Sequence, residues 1–189
     1  MRHLRTLATV ALLAGLLAAC GHSSSSSSAS GSTTVGDTGG FEIRPVYARY
    51  APGVPFGPEI PQAVVSEMHQ ASCPMKPRVV QGMLMECDAG KTVYLMQNPI
   101  VQGSVTSATP KQIDHKNLWY VEVGLDQKAA TAMASEIKNQ VGQELAFVYG
   151  GQVVTSVAVM PSLHADRVAV LGSYDKSQAD KLAQQIAGS

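Results

Sequence analysis

Between Gly21 and Gly40 the chain carries six consecutive serines, Ser23 to Ser28, and then little but Ser, Thr and Gly. No packed core can form from that composition, so any fold has to be built from the residues beyond Gly40. A polar stretch of roughly twenty such residues behaves as a flexible coil with a root-mean-square reach of about 25 Å. It therefore reads as a linker spanning residues 20–40. The residues ahead of it have a different character. Arg2 and Arg5 form a basic n-region, Leu7 to Ala19 is apolar, and the run ends in Leu17, Ala18, Ala19 and Cys20. That is the shape of a secretory signal over residues 1–19, too short to span a bilayer.

The end of this run resembles the lipobox of bacterial lipoproteins, in which a small residue precedes a cysteine that is acylated and becomes the mature N-terminus. The resemblance implies diacylglycerol on the Cys20 thiol. The protein is then expected on the extracytoplasmic face of a bacterial membrane or envelope, held by its lipid. At about 0.8 kcal/mol per buried methylene, two or three acyl chains make an anchor that does not readily dissociate.

Loss of residues 1–19 removes Arg2 and Arg5 from a chain whose 14 basic and 14 acidic side chains otherwise cancel. Near-neutrality gives no electrostatic footprint for nucleic acid. The charged fraction of 15%, against about 25% in ordinary domains, is lowered partly by the linker. Contacts with partners are expected to depend on shape and apolar surface.

Residues 41–61 form an extended, proline-rich segment in which Pro52, Pro55, Pro58 and Pro61 recur every third position. Polyproline II has three residues per turn, which would line the four rings along one edge. No basic residue flanks the run as a PxxP ligand often requires, so a spacer or surface strip is expected.

A compact α+β domain is expected over residues 62–189. Ala63 to Gln70 suits a short helix; Val79 to Glu86 and Thr92 to Gln97 read as strands joined through Cys87, Asp88, Ala89 and Gly90. Trp119, Val121, Val123 and Leu125 alternate with Tyr120, Glu122 and Gly124, the period of a strand with one buried face. Asp126 can cap a helix with Ala130, Met133, Ala134, Ile137 and Val141 on its apolar stripe and Gly142 as its stop. Gly150 and Gly151 separate two β-rich runs, Leu145 to Tyr149 and Gln152 to Val159, as a two-residue hairpin turn. Arg167 to Leu171 adds a strand. Asp175 with Gln178 predicts a capping box ahead of a helix striped by Ala179, Leu182, Ala183 and Ile186. The helix between the first two of these strands predicts a parallel or near-neighbour placement, with both helices covering one face of a mixed sheet.

Leu118 to Leu125, the helix from Asp126, Glu144 to Val157 (ELAFVYGGQVVTSV) and Leu171 to Ile186 (LGSYDKSQADKLAQQI) together resemble the head of the large periplasmic domain of the SecD export family. Asn98 to Ala108 (NPIVQGSVTSA) is similar to the strand and turn leading into that head, and Phe41 to Val46 (FEIRPV) to the strand before it. The resemblance implies an α+β fold, no enzymatic activity and no cofactor. Its implied partners are unfolded exported polypeptide or a translocase subunit. Ala158 stands in the region where the family commonly has a proline, and Pro161 to Asp166 (PSLHAD) replaces its Gly-rich turn, so no tip contact carries over. The family's proton-driven helices have no counterpart before Ser189, and no motor activity is expected. The alternative is a structural or regulatory envelope lipoprotein with a partner unrelated to export.

Chemistry-bearing motifs are few. Met85 to Thr92 (MECDAGKT) nearly matches a P-loop, but Met85 replaces the first glycine and a strand pattern comes after it, so a hairpin turn is expected and no nucleotide. Ser162, His164 and Asp166 hold the residue types of a catalytic triad but sit in one short loop, with no nucleophile elbow, so no catalytic residue is assigned. His3, His22, His69, His115 and His164 are scattered, and no metal is expected. Cys73 and Cys87, the cysteines left to the domain, are expected to form a disulfide in an exported protein. Met75, Met83, Met85 and Met96 surround that loop and either fill core or offer an adaptable apolar surface. Trp119 is expected in the core.

Overall fold

The computed structural model describes residues 40–56, 59–114 and 116–188. The signal segment, Cys20, His3, His22, Pro58 and His115 lie outside the described residues, as does all but Gly40 of the linker. Strands β1 (Phe41–Tyr50), β2 (Arg78–Val80), β3 (Met83–Cys87), β4 (Val93–Met96), β5 (Val101–Gln102), β8 (Glu144–Tyr149) and β9 (Gln152–Ala158) make a seven-stranded sheet in the order β2-β3-β4-β1-β8-β9, with β5 on β1. Strands β6 (Val105–Gln112), β7 (Trp119–Leu125) and β10 (Arg167–Tyr174) make a second sheet ordered β10-β7-β6. Helices α1 (Gln62–Gln70), α2 (Gln127–Asn139) and α3 (Lys176–Ala187) complete an α+β fold.

The crossover helix α2 does not return the chain to a parallel neighbour. β7 pairs antiparallel with β6 and β10, whereas β8 pairs antiparallel with β1 and β9. The chain leaves one sheet and enters the other, so the right-handed crossover rule, which governs strands of a single sheet, does not apply. The parallel element among the described residues is an isolated bridge between Asp88 and Val153.

The main core lies between the sheets and two of the helices. Val121, Val123 and Leu125 from one face of β7 meet Ala129, Met133 and Ile137 of α2 and Ala179, Ala183 and Ile186 of α3. Phe41, Ile43, Leu145 and Phe147 close it from the large sheet. Full burial of such side chains contributes about 1.5–3 kcal/mol each. β1 thus belongs to the core, and the packed part of the chain begins ahead of the proline run. Within that run Pro61 is the N-cap of α1, and Phe56 stacks on Tyr50 at 5.3 Å.

Caps place the helices. Asp126 accepts a 2.8 Å bond from the Ala129 N–H, and Asp175 and Gln178 form a reciprocal capping box. α2 stops at Asn139, short of the end of the predicted stripe, and Val141 is 57% exposed. Gly142, at φ +87°, has its N–H on the Val159 carbonyl, which ends the helix before Val141 can face inward. Ala134 is also exposed, and the buried row runs through Ala129 instead. Asp126→Ala is expected to lower stability by about 1 kcal/mol in urea denaturation, because it leaves the Ala129 donor unsatisfied.

The run Val79 to Glu86, predicted as one strand, is a hairpin. Gln81 (φ 51°) and Gly82 (φ 79°) form a two-residue turn between β2 and β3. The Gly150–Gly151 turn between β8 and β9 has the expected positive φ angles, 56° and 74°.

Candidate functional site

The inner face of β7 is consumed by the core, which leaves Tyr120 and Glu122 pointing the other way. On that outer side lies an open cleft of about 460 Å³. Its floor is Tyr120 and Glu122 of β7 with Arg167, Ala169 and Leu171 of β10. Its walls are Ile113 and Asp114 after β6, and Ser162, Leu163 and His164 from the loop before β10. The Leu163 N–H bonds the Met160 carbonyl at 2.9 Å, which turns that loop towards the sheet. The Ile113 N–H bonds the Leu118 carbonyl at 2.9 Å and shapes the opposite wall. Leu171 is 45% exposed, and Met160 beside the loop is 55% exposed. Exposed large apolar groups beside a concave surface mark a contact site.

Ser162 and His164 line this cleft, but Asp166 does not join them. Its carboxylate pairs with Arg167 at 3.5 Å, and its carbonyl accepts the Leu125 N–H. The three residue types do not converge into a nucleophile, base and orienting acid. The P-loop-like stretch is a turn: Asp88 accepts the Lys91 N–H on its carbonyl and the Thr92 N–H on Oδ1. Met85 and Met96 are buried, while Met83 and Met75 are partly buried against the core beneath α1, so these methionines fill space more than they present a surface. Trp119 packs at the edge of the main core with Lys176 Nζ 5.5 Å from its ring. His69 sits against Tyr50 and Phe56. Among the described residues no group of three or more His, Cys, Asp or Glu side chains is placed to hold a metal ion.

Cys73 and Cys87 are joined in a disulfide beside a second, smaller recess of about 290 Å³. Sequence reasoning passed over the acid in its lining. The pleat sends Met85 and Cys87 towards α1 and turns Glu86 to the opposite side, where it is 1% exposed. Its Oε1 accepts the Cys87 N–H at 2.7 Å, and its Oε2 has no partner. Burial, partly offset by that hydrogen bond, pushes its pKa up to about 7. The other buried acid, Glu42, is instead paired with Arg44 at 2.6 Å.

The family model for the SecDF P1 head subdomain matches residues 79–189. A chain of SecDF crystallised in its super-membrane-facing form is similar over 80% of this chain and 19% of its own length, with a TM-score of 0.52 and 13% identity. A SecDF chain described as a membrane component that enhances protein export is similar over 78% of this chain and 61% of its own, with a TM-score of 0.48 and 13% identity. This chain therefore spans less than two thirds of either structure's length. No curated protein matches.

Proposed function

Because this chain belongs to the SecDF P1 head subdomain family across residues 79–189, we propose that it acts as a non-catalytic binding module on the extracytoplasmic side of the membrane. Its ligand is exported polypeptide or an exposed surface of the translocase. A lipid on Cys20 would hold it at the membrane; among the described residues no helix is long and apolar enough to cross one.

The observation that carries this reading is the cleft on the outer face of the three-stranded sheet. All of its lining lies inside the matched stretch. Its apolar groups, Ile113, Leu163 and Leu171, are interspersed with Glu122 and Arg167, charges of both signs. An open surface that mixes apolar groups with polar and charged ones suits segments of varied sequence better than one small substrate.

A photoactivatable side chain placed at Leu171 of the full-length protein in intact envelopes is expected to trap a preprotein or a translocase subunit. Adding Ile113→Asp, at a lining residue outside the core clusters, should reduce that adduct at least about fivefold, the scale of one lost apolar anchor, without moving the melting temperature. Adducts made only with envelope proteins unrelated to export, or none at all, would overturn the assignment.

A further inference from the structure

The recess beside the disulfide is separate from the cleft and from the function proposed for it. Glu86 lies deep in its lining, with Asp88, Lys91, Val154, Tyr174 and the Cys73–Cys87 bridge around it. A carboxyl at 1% exposure with one oxygen unpaired is costly to ionise; below about pH 7 it keeps its proton, and above that a cation entering the recess would offset the cost. The surrounding groups cannot do so as they stand. Asp88 is an acceptor already engaged by the Thr92 N–H at 2.8 Å and the Tyr94 hydroxyl at 3.2 Å. The Tyr174 hydroxyl donates to the Val154 carbonyl at 3.4 Å. Lys91 is exposed at the rim, in a turn where its φ is 65°.

We propose that this recess is a binding site for a primary alkylammonium group, with the free Glu86 Oε2 as its acceptor and Val153, Val154 and the disulfide as walls for the aliphatic stem.

The chemistry selects among cations. A bidentate guanidinium fork would have to share Oε1 with the Cys87 N–H, whereas an ammonium acts as a point charge and needs only the one free oxygen. A divalent ion would need about six or more oxygen ligands, and the lining offers two carboxylates, of which Asp88 already accepts a hydrogen bond on each oxygen. The volume of about 290 Å³ is at the small end of ligand pockets, and a short amine fits that size. The ammonium binds the ionised form of Glu86, whose pKa is about 7. The other ionisable groups lining the recess are Asp88 and Lys91 from the β3–β4 turn and Tyr174 from β10; Gln152, Val153 and Val154 of β9 contribute none. Affinity is therefore expected to fall about tenfold per pH unit below about 7.

The test tracks the Glu86 carboxyl by carbon-13 NMR in the full-length protein, titrated in n-butylammonium chloride or in sodium chloride of equal ionic strength. The expected result is a midpoint lowered by at least about one pH unit in butylammonium alone. Equal midpoints in the two salts would overturn the site. This readout uses the unaltered chain and does not depend on any variant folding. Glu86→Gln should abolish saturable butylammonium binding, and retained binding would count against the proposal. If Lys91→Ser raised the Glu86 midpoint by about a unit in sodium chloride, Lys91 would be the resident partner and the proposal would fail. An unchanged midpoint in that variant supports it. A blocked lysine, Nα-acetyl-lysine methylamide, separates the sources: a shift with both amines means that lysine borne on a peptide is accepted, and a shift with butylammonium alone means a free small amine.

Discussion

Replacing Cys73 and Cys87 together by serine is expected to lower stability by about 3 kcal/mol, the chain-entropy cost of opening a loop of about fifteen residues. The two cysteines are 14 apart in sequence. For a domain of this size that corresponds to a melting temperature lower by roughly 6–12 °C. The loss should be local before it is global. The bridge ties the connection after α1 to β3, and Cys87 shares a core with Val64 and Met68 of α1 and with Met85 and Leu95. The main core draws on other residues altogether, from α2, α3 and both sheets. Native-state hydrogen exchange of the double variant should therefore show α1 amides losing protection while those of α2 and α3 keep most of theirs. A thermal melt of the parent protein unchanged by strong reductant would show that the bridge adds no stability.

The elements readable from sequence are those whose signal is local. Asp126 and the capping box at Asp175 announce α2 and α3 through hydrogen bonds closed within three residues, and Gly150–Gly151 announces a turn that few other residues can adopt. The β2–β3 turn hides in a run of apolar residues because Gln81, an ordinary residue, takes φ 51° there and only Gly82 marks it. β6 has no periodic signal, because Val105 to Gln112 is mostly polar and contains Pro110, and only the resemblance over Asn98 to Ala108 hints at its start; it is a strand because β7 supplies its ladder. The pairing of β8 with β1 rather than with β7 joins residues about a hundred positions apart, and no window of sequence encodes it. The site divides in the same way. Ser162 and His164 draw attention through their residue types, but what brings them to the cleft is the packing of the loop on β10. Tyr120 and Leu171 carry no motif. Gly172 shows how little of the recess near Glu86 is visible in sequence: a Cβ there would sit 2.5 Å from the Tyr174 ring, so the glycine is what lets that ring fold back over its own strand.

Among the described residues, Glu86→Gln is expected to change the pH dependence of stability most. The parent carboxyl has a pKa of about 7 in the fold against 4.5 when unperturbed, so the folded state holds its proton more tightly than the unfolded chain does. Between those values the native state carries the extra proton, and stability falls as pH rises. The stabilisation is complete below about pH 4.5, is lost progressively towards pH 7, and is absent above it. The whole window corresponds to about 3 kcal/mol at most, at roughly 1.36 kcal/mol per unit. Glutamine keeps the shape and an acceptor for the Cys87 N–H but has no proton to lose, so its stability should stay flat where the parent declines. Urea unfolding at about pH 5 and about pH 8 measures the difference: the variant should gain on the parent by up to about 3 kcal/mol between the two conditions. Parallel pH profiles would mean that Glu86 is ionised in the folded state at about pH 5 and already meets a hydrogen-bond donor, such as an ordered water. In butylammonium at about pH 8 the parent should recover part of the loss, because a ligand that binds only the folded carboxylate stabilises it by mass action. The variant, lacking the charge, should not respond.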